Sequence, residues 1–197
     1  MLKTPLQQWI TDWKDCVRCP LHKTRTQVVH GRGTIPADRL DLCDVLFIGD
    51  APGDSEDTTG QPFSGPAGFL FDDIVRQSVP DGIRYAVTDL TGCVPRTDDG
   101  IKAGQPDHDE IMACRPRLER FIELCDPQLI VTVGKLAEEY MEQGLTTSIR
   151  CPKTVPIISI THPSAIHRMP YLGRGLAVRR CVVTVAKGIE THVVKGL

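Results

Sequence analysis

Short apolar runs closed by glycine or a polar residue alternate along the chain with stretches whose apolar positions recur every three to four residues. Residues 44–49, DVLFIG, read as a buried strand, and a Gly/Pro-rich loop follows it. Residues 67–79 carry helical periodicity, and 84–88 form a second predicted strand. After a loop rich in Gly, Asp and Pro, Asp107 and Glu110 make a variant capping box that opens a helix toward Leu124, with Pro116 as a point of kinking. A third strand over 128–133, a helix over 135–143 and a fourth strand over 156–160 come next. From about Gly173 the chain reads as a helix, although Val182, Val183 and Val185 leave a strand open. At the other end, Thr4 as N-cap and Pro5 in the first turn start a helix that runs toward Asp15 and delivers Cys16 and Cys19.

Strands alternating with helices predict an α/β fold: one domain over residues 1–197, three layers α/β/α, with a central four-stranded, mostly parallel sheet. Ligands of such sheets bind beyond the carboxyl ends of the strands. Asp50, Asp89, Gly134 and His162 all fall just after predicted strands and converge on that edge. With 197 residues, 41% of them hydrophobic, the chain can bury a real core, and no run approaches the roughly 20 apolar residues of a membrane span. The first residues lack the apolar stretch of a signal peptide, so a cytoplasmic location is expected. A formal net charge of −2 excludes a broad polyanion binder but not a local basic face. Two clusters offer one: Arg115, Arg117 and Arg120, and Arg168, Arg174, Arg179 and Arg180; a solvated helix face is the competing reading.

Candidate chemistry sits in three places. Between Gly49 and Gly68 the segment GDAPGDSEDTTGQPFSGPAG is too acidic for a phosphate cradle and has neither GxGxxG nor GK[ST]. Its Phe63 either offers a ring on which a base stacks or is pinned into the core under a surface loop. After the last strand, His162 can donate to a developing oxyanion, and Ile166 is an apolar side chain able to fill the gap left by a flipped base. Of eight cysteines, Cys16 and Cys19 have metal-ligand spacing, and Cys93 and Cys114 could complete a four-thiolate site for zinc or an iron–sulfur cluster. Cys43, Cys125, Cys151 and Cys181 lie in more apolar settings and read as small buried hydrophobes.

Taken in order, these features resemble the family 4 uracil-DNA glycosylases, the iron–sulfur branch of the uracil-DNA glycosylase superfamily. GDAPGDSEDTTGQPFSGPAG is similar to the family motif GEAPGxxEDxxGxPFxGxAG, and THPSAIHR to its histidine motif. The resemblance runs from Cys16 to about Arg168 and implies a monofunctional DNA glycosylase with a structural 4Fe–4S cluster on Cys16, Cys19, Cys93 and Cys114 (zinc being the lesser alternative). It implies a base pocket of Gly49, Gly53, Phe63 and Asp89, catalysis by Asp50 and His162, and Ile166 entering the duplex. Double- or single-stranded DNA is the implied partner, no membrane is expected, and the chain is expected to be a monomer. Three departures stand out. The stretch between Cys93 and Cys114 is long, Asp50 replaces the usual Glu, and Asp89 replaces the family's Asn.

An Asn amide both donates to uracil O4 and accepts from N3–H, whereas an ionised Asp only accepts. Asp89 therefore favours an exocyclic amine such as cytosine N4, and Gly53 leaves the C5 side open, so a 5-modified cytosine, as in some phage genomes, stands beside uracil as the target. A covalently trapping relative with a histidine before the last cluster cysteine is one rival; backward alignment from Pro106 puts Ala103 at that position, and His108 is close to Cys114. A non-catalytic binder of flipped or damaged bases is another.

Overall fold

The buried runs form the strands they predict, because β-branched and aromatic residues covered on both faces need no polar alternation. The structure is a computed structural model that describes residues 3–33, 43–97, 100, 103–142 and 155–193. Strands β2 (Val45–Gly49) and β4 (Leu129–Val133) are buried at every position, β3 (Tyr85–Asp89) at all but its first, and β5 (Ile157–Ile160) only at its last. These four run parallel, and β1 (Arg32–Gly33) adds an antiparallel edge, giving the order β1-β3-β2-β4-β5. The sheet thus has five strands, one more than expected. A two-residue strand carries no periodicity to read, and Gly33 lies so close to β3 that an added Cβ would stand 2.2 Å from the Tyr85 carbonyl oxygen.

Alternate residues of the strands feed two cores. Leu46, Ile48, Ala86 and Ile130 pack with Trp9 of helix α1 (Pro5–Trp13), with Ile111, Leu118, Phe121 and Ile122 of α4 (His108–Cys125), and with Ala137 of α5 (Lys135–Tyr140). Val45, Phe47, Val87, Val131 and Val133 pack with Phe71 and Ile74 of α3 (Pro66–Ser78), Ile166 of α6 (Pro163–Arg168), and Val185 and Ile189 of α7 (Tyr171–His192). Each such aliphatic or aromatic side chain contributes about 1.5–3 kcal/mol on full burial. The three-layer α/β/α arrangement follows directly. Cys181, Val185 and Ile189 are buried at a spacing of four, which is why the valine-rich tail is a helix and not a strand. Helix α4 opens on the Asp107–Glu110 capping box and continues through Pro116. Among the described residues no helix is long and apolar enough to cross a membrane.

Candidate active site

Strand β2 lies between β3 and β4, and the chain leaves it toward opposite edges of the sheet. The carboxyl end of β2 is therefore the switch point at which open α/β sheets bind ligands. Asp50 follows it, Asp89 ends β3 opposite Gly49, and His162 follows β5. All three line one cavity of about 550 Å³, within the roughly 300–1,000 Å³ of small-molecule sites. Gly134 does not line it. With φ +115, it lets the Asp50 carboxylate come to within 3.1 Å of where a Cβ would stand.

The segment after β2 is more ordered than a Gly/Pro-rich loop suggests, because it contains helix α2 (Asp54–Thr59). Glu56 organises it by accepting from the Gly53 N–H at 3.1 Å and the Gly65 N–H at 2.9 Å. Its neighbour Asp57 is buried, accepts from the Thr26 N–H at 2.9 Å and pairs with Arg96 at 3.3 Å. Acidity in this loop thus serves to tie the backbone. Phe63 is pinned into the core and also borders the cavity. It is 7% exposed and stacked on Phe71 with centroids 4.3 Å apart, and it also lines the cavity, 5.9 Å from the His162 ring. Gly68 permits this placement, since a Cβ there would stand 1.9 Å from the Phe63 carbonyl oxygen. At Gly49 a Cβ would meet Asp89 Oδ1 at 2.3 Å and the Phe63 ring at 2.8 Å, so only glycine lets these two cavity-lining side chains approach the end of β2. Gly53 also lines the cavity, and a Cβ there would press on Glu56 Oε2 at 2.8 Å.

Electrostatics separate the three polar groups. Burial pushes Asp89 up to about 7, against the Arg117 charge, with Glu56 and Asp50 adding to the rise. The residue is 5% exposed and faces the cavity. Burial likewise raises Asp50 to about 6, although the Ala137 N–H donates to its Oδ1 at 2.9 Å. His162 goes the other way, down to about 4, through burial and the nearby Arg168 charge. The Ser164 N–H donates to His162 Nδ1 at 3.2 Å, which leaves the ring proton on Nε2. A neutral imidazole donor, a buried carboxyl and an aromatic platform face one base-sized space.

The family model described as "Uracil DNA glycosylase superfamily" matches residues 40–182. The chain belongs to this superfamily. It is 33% identical over 181 residues to the type-4 uracil-DNA glycosylase of Thermotoga maritima, covering 86% of this chain and 85% of that one. With the type-4 uracil-DNA glycosylase of Archaeoglobus fulgidus it shares 29% identity over 184 residues, 85% of each chain. The crystal structure of Pedobacter heparinus SMUG2 superposes with a TM-score of 0.58 over 76% of both chains at 12% identity, a likeness of fold.

In this DNA glycosylase the expected cluster cysteines come from the segment after α1, the turn after β3 and helix α4. Cys19 interacts electrostatically with Cys16 and Cys114, and Cys93 with Cys114 and Cys19. Among the described residues no three His, Cys, Asp or Glu side chains stand together at metal-holding spacing. The donor set nonetheless suits thiolate ligation. Arg25 Nη1 donates to Cys93 Sγ at 3.1 Å, and the Gly92 N–H and Arg117 Nε each donate to Cys114 Sγ at 3.3 Å. Hydrogen bonds and cationic donors of this kind stabilise metal-bound sulfur. Cys43, Cys125 and Cys181 are buried as expected, and Cys151 lies outside the described residues.

Two expectations about the glycosylase's DNA face change. Ile166 is fully buried between the sheet and its helices, so it is not poised to enter a duplex. The exposed apolar side chains next along the chain are Tyr171 and Leu172, each 86% exposed, three and four residues after the cavity-lining Arg168. In the first basic cluster Arg115 pairs with Glu119, Arg120 with Glu123, and Arg117 is buried, so it is not a row of unpaired exposed arginines. Arg168, Arg174, Arg179 and Arg180 are exposed, and none is ion-paired among the described residues. The long loop contributes Ala103, Gly104, Gln105 and Pro106 to the cavity wall, which no spacing in the sequence signalled. His108 points elsewhere, with its Nδ1 2.8 Å from the Tyr140 hydroxyl.

Proposed function

We propose that this glycosylase hydrolyses the N-glycosidic bond of a pyrimidine flipped out of DNA, and that Asp89 selects the base by reading its 4-position. The observation that carries this is the Asp89 carboxyl, on a residue only 5% exposed, lining the same cavity as Phe63 and His162. Burial makes this cavity-facing acid costly to ionise, and a hydrogen bond to a ligand amine or carbonyl offsets that cost. Ionised, it accepts from the N4 amine of a cytosine-type base. Protonated, it donates to O4 of uracil. Phe63 supplies the stacking face. As the C1′–N1 bond breaks, its electron pair moves into the base, and His162 Nε2–H holds the charge that develops on O2. Water adds to the oxocarbenium-like C1′ and passes a proton to the Asp50 carboxylate, whose Oδ2 is not taken by Ala137.

Gly53 at the cavity wall leaves the C5 side free of a bulky ring. Excision of ordinary cytosine would damage the host genome, so a 5-modified cytosine in invading DNA is the cytosine-type substrate this pocket serves, with a role in defence. Uracil, the base named for the type-4 relatives, is the substrate of the protonated pocket. Ala103 occupies the wall where a trapping relative would carry its histidine, and His108 is bound to Tyr140, so the product is a free abasic site. Cys16, Cys19, Cys93 and Cys114 would hold the 4Fe–4S cluster, which pins the N-terminal segment and the long loop to α4. The glycosylase acts as a monomer in the cytoplasm in this reading.

Base release from matched duplexes carrying uracil, cytosine or 5-modified cytosines, with alkaline cleavage at the abasic sites, tests the substrate. Uracil release unaffected by pH around 7, with no release of any cytosine, would defeat the Asp89 reading. Tyr171 and Leu172, flanked by the unpaired arginines, are the residues that enter the duplex. A Tyr171→Ala/Leu172→Ala variant is expected to lose roughly tenfold in excision from duplex DNA while keeping excision from single strands, as measured by side-by-side rates.

A further inference from the structure

Arg117 is 1% exposed, the bulkiest fully buried side chain among the described residues. Its Nε donates to Cys114 Sγ at 3.3 Å, its Nη1 to Thr88 Oγ1 at 3.3 Å, and its Nη2 to the Asp89 carbonyl oxygen. Nη1 also reaches the His30 carbonyl oxygen at 3.5 Å. Cys114 and Arg117 lie three apart on α4 and so share a face, which directs the guanidinium past the sulfur toward the end of β3. Gly92 makes room for it, since a Cβ there would stand 3.0 Å from Nε. The Trp9 ring lies 5.7 Å beneath the guanidinium, and the Trp9 Nε1–H donates to the Arg117 carbonyl oxygen at 3.1 Å.

No carboxylate is hydrogen-bonded to this cation among the described residues. A buried guanidinium without a counter-charge is strongly unfavourable. Of the atoms it donates to, three are neutral oxygens and one is a sulfur, and only the sulfur can carry a full charge. The buried guanidinium thus bridges the sulfur of Cys114 on one side and the backbone end of β3 at Asp89 on the other, with the Asp89 carboxyl within its electrostatic reach.

We infer that Arg117 is a positioning residue that fastens the base-facing end of β3 to the four-cysteine site, so that the group held by the cysteines and the edge that reads the base move as one unit. Its consequence for specificity rests on the reading of Asp89 given above; the fastening rests on geometry alone. Three charged groups face Asp89: Arg117 from α4, Glu56 from α2 and Asp50 beyond β2. Arg117 is the positive one.

The test uses the purified protein with the metal it carries, as Arg117→Met and Arg117→Lys, beside Asp89→Asn. In Arg117→Met, Cys114 is expected to be alkylated roughly tenfold faster, as read by mass spectrometry, with less iron retained per chain. The pH midpoint of the Asp89-dependent limb of base release should move up by about one unit, because the charge that favours the carboxylate is gone. Arg117→Lys keeps the charge but cannot bridge sulfur and carbonyl together. It should hold the pH midpoint while Cys114 protection falls and KM rises more than kcat drops. Wild-type Cys114 protection in Arg117→Lys overturns the inference, and that variant decides alone if Arg117→Met does not fold. Unchanged base preference in Asp89→Asn would remove the Asp89 reading and leave the fastening to be judged on Cys114 protection.

Discussion

Replacing Asp89 by asparagine is expected to turn the enzyme into a uracil-selective glycosylase whose preference no longer depends on pH. The wild-type carboxyl is held near 7 by burial, so both protonation states are present at neutral pH. Raising the pH through 7 ionises it, which strengthens acceptance from a cytosine N4 amine and weakens donation to uracil O4. Asp50, raised to about 6, must be ionised to take a proton from water. Uracil release should therefore rise as pH climbs through about 6 and fall again through about 7, whereas release of a cytosine-type base should rise through both. Asparagine removes the upper limb for uracil and leaves the lower one. Release of the cytosine-type base should drop by about 10²-fold or more, since a site built for one hydrogen-bond pattern rejects its complement strongly. Single-turnover base release over a pH series on both substrates checks the sign of each limb. An upper limb for uracil that persists in Asp89→Asn would assign it to another group.

His162→Ala should lose about 10²–10³-fold in kcat, the range found when one preorganised oxyanion donor is removed, with little change in DNA affinity. Two features make the loss one of chemistry. The ring is already neutral, with its pKa down at about 4, so no proton need leave it before it can donate. Its tautomer is fixed by the Ser164 N–H on Nδ1 at 3.2 Å, and the donor stands ready before the base arrives. Affinity from DNA binding and rate from single-turnover excision separate the two quantities. An affinity loss matching the rate loss would make His162 a binding group.

Much of this molecule is legible in its sequence for a plain reason. Residues 45–48 are buried on both faces, so they must be apolar throughout, and that pattern survives in any context. The strand-end positions of Asp50, Asp89 and His162 follow from the sheet alone. What was hidden depends on contacts between distant segments. Helix α2 is short and acidic, and its order comes from Glu56 reaching Gly53 and Gly65. Arg117 sits among arginines that look like one basic stripe, yet α4 turns it inward onto Cys114 and β3. Ile166 shares the exposed loop motif in sequence, but helix α6 rotates it into the core between α3 and α7. In each case a single turn of helix decided the direction of a side chain.

The Glu56 clasp reaches beyond the loop it holds. One carboxylate closes a ring of backbone from Gly53 to Gly65, much as a crosslink would, and so removes conformations the free chain would otherwise explore. The wall that meets the base is then already folded when DNA arrives, and binding energy is not drawn off to order it. On the proposed reading, discrimination between bases is left to the cost of extrusion and to the hydrogen bonds made at Asp89. On the proposed reading the pocket is a preformed gauge offered to each nucleotide, so that rejecting a base requires no refolding of this loop.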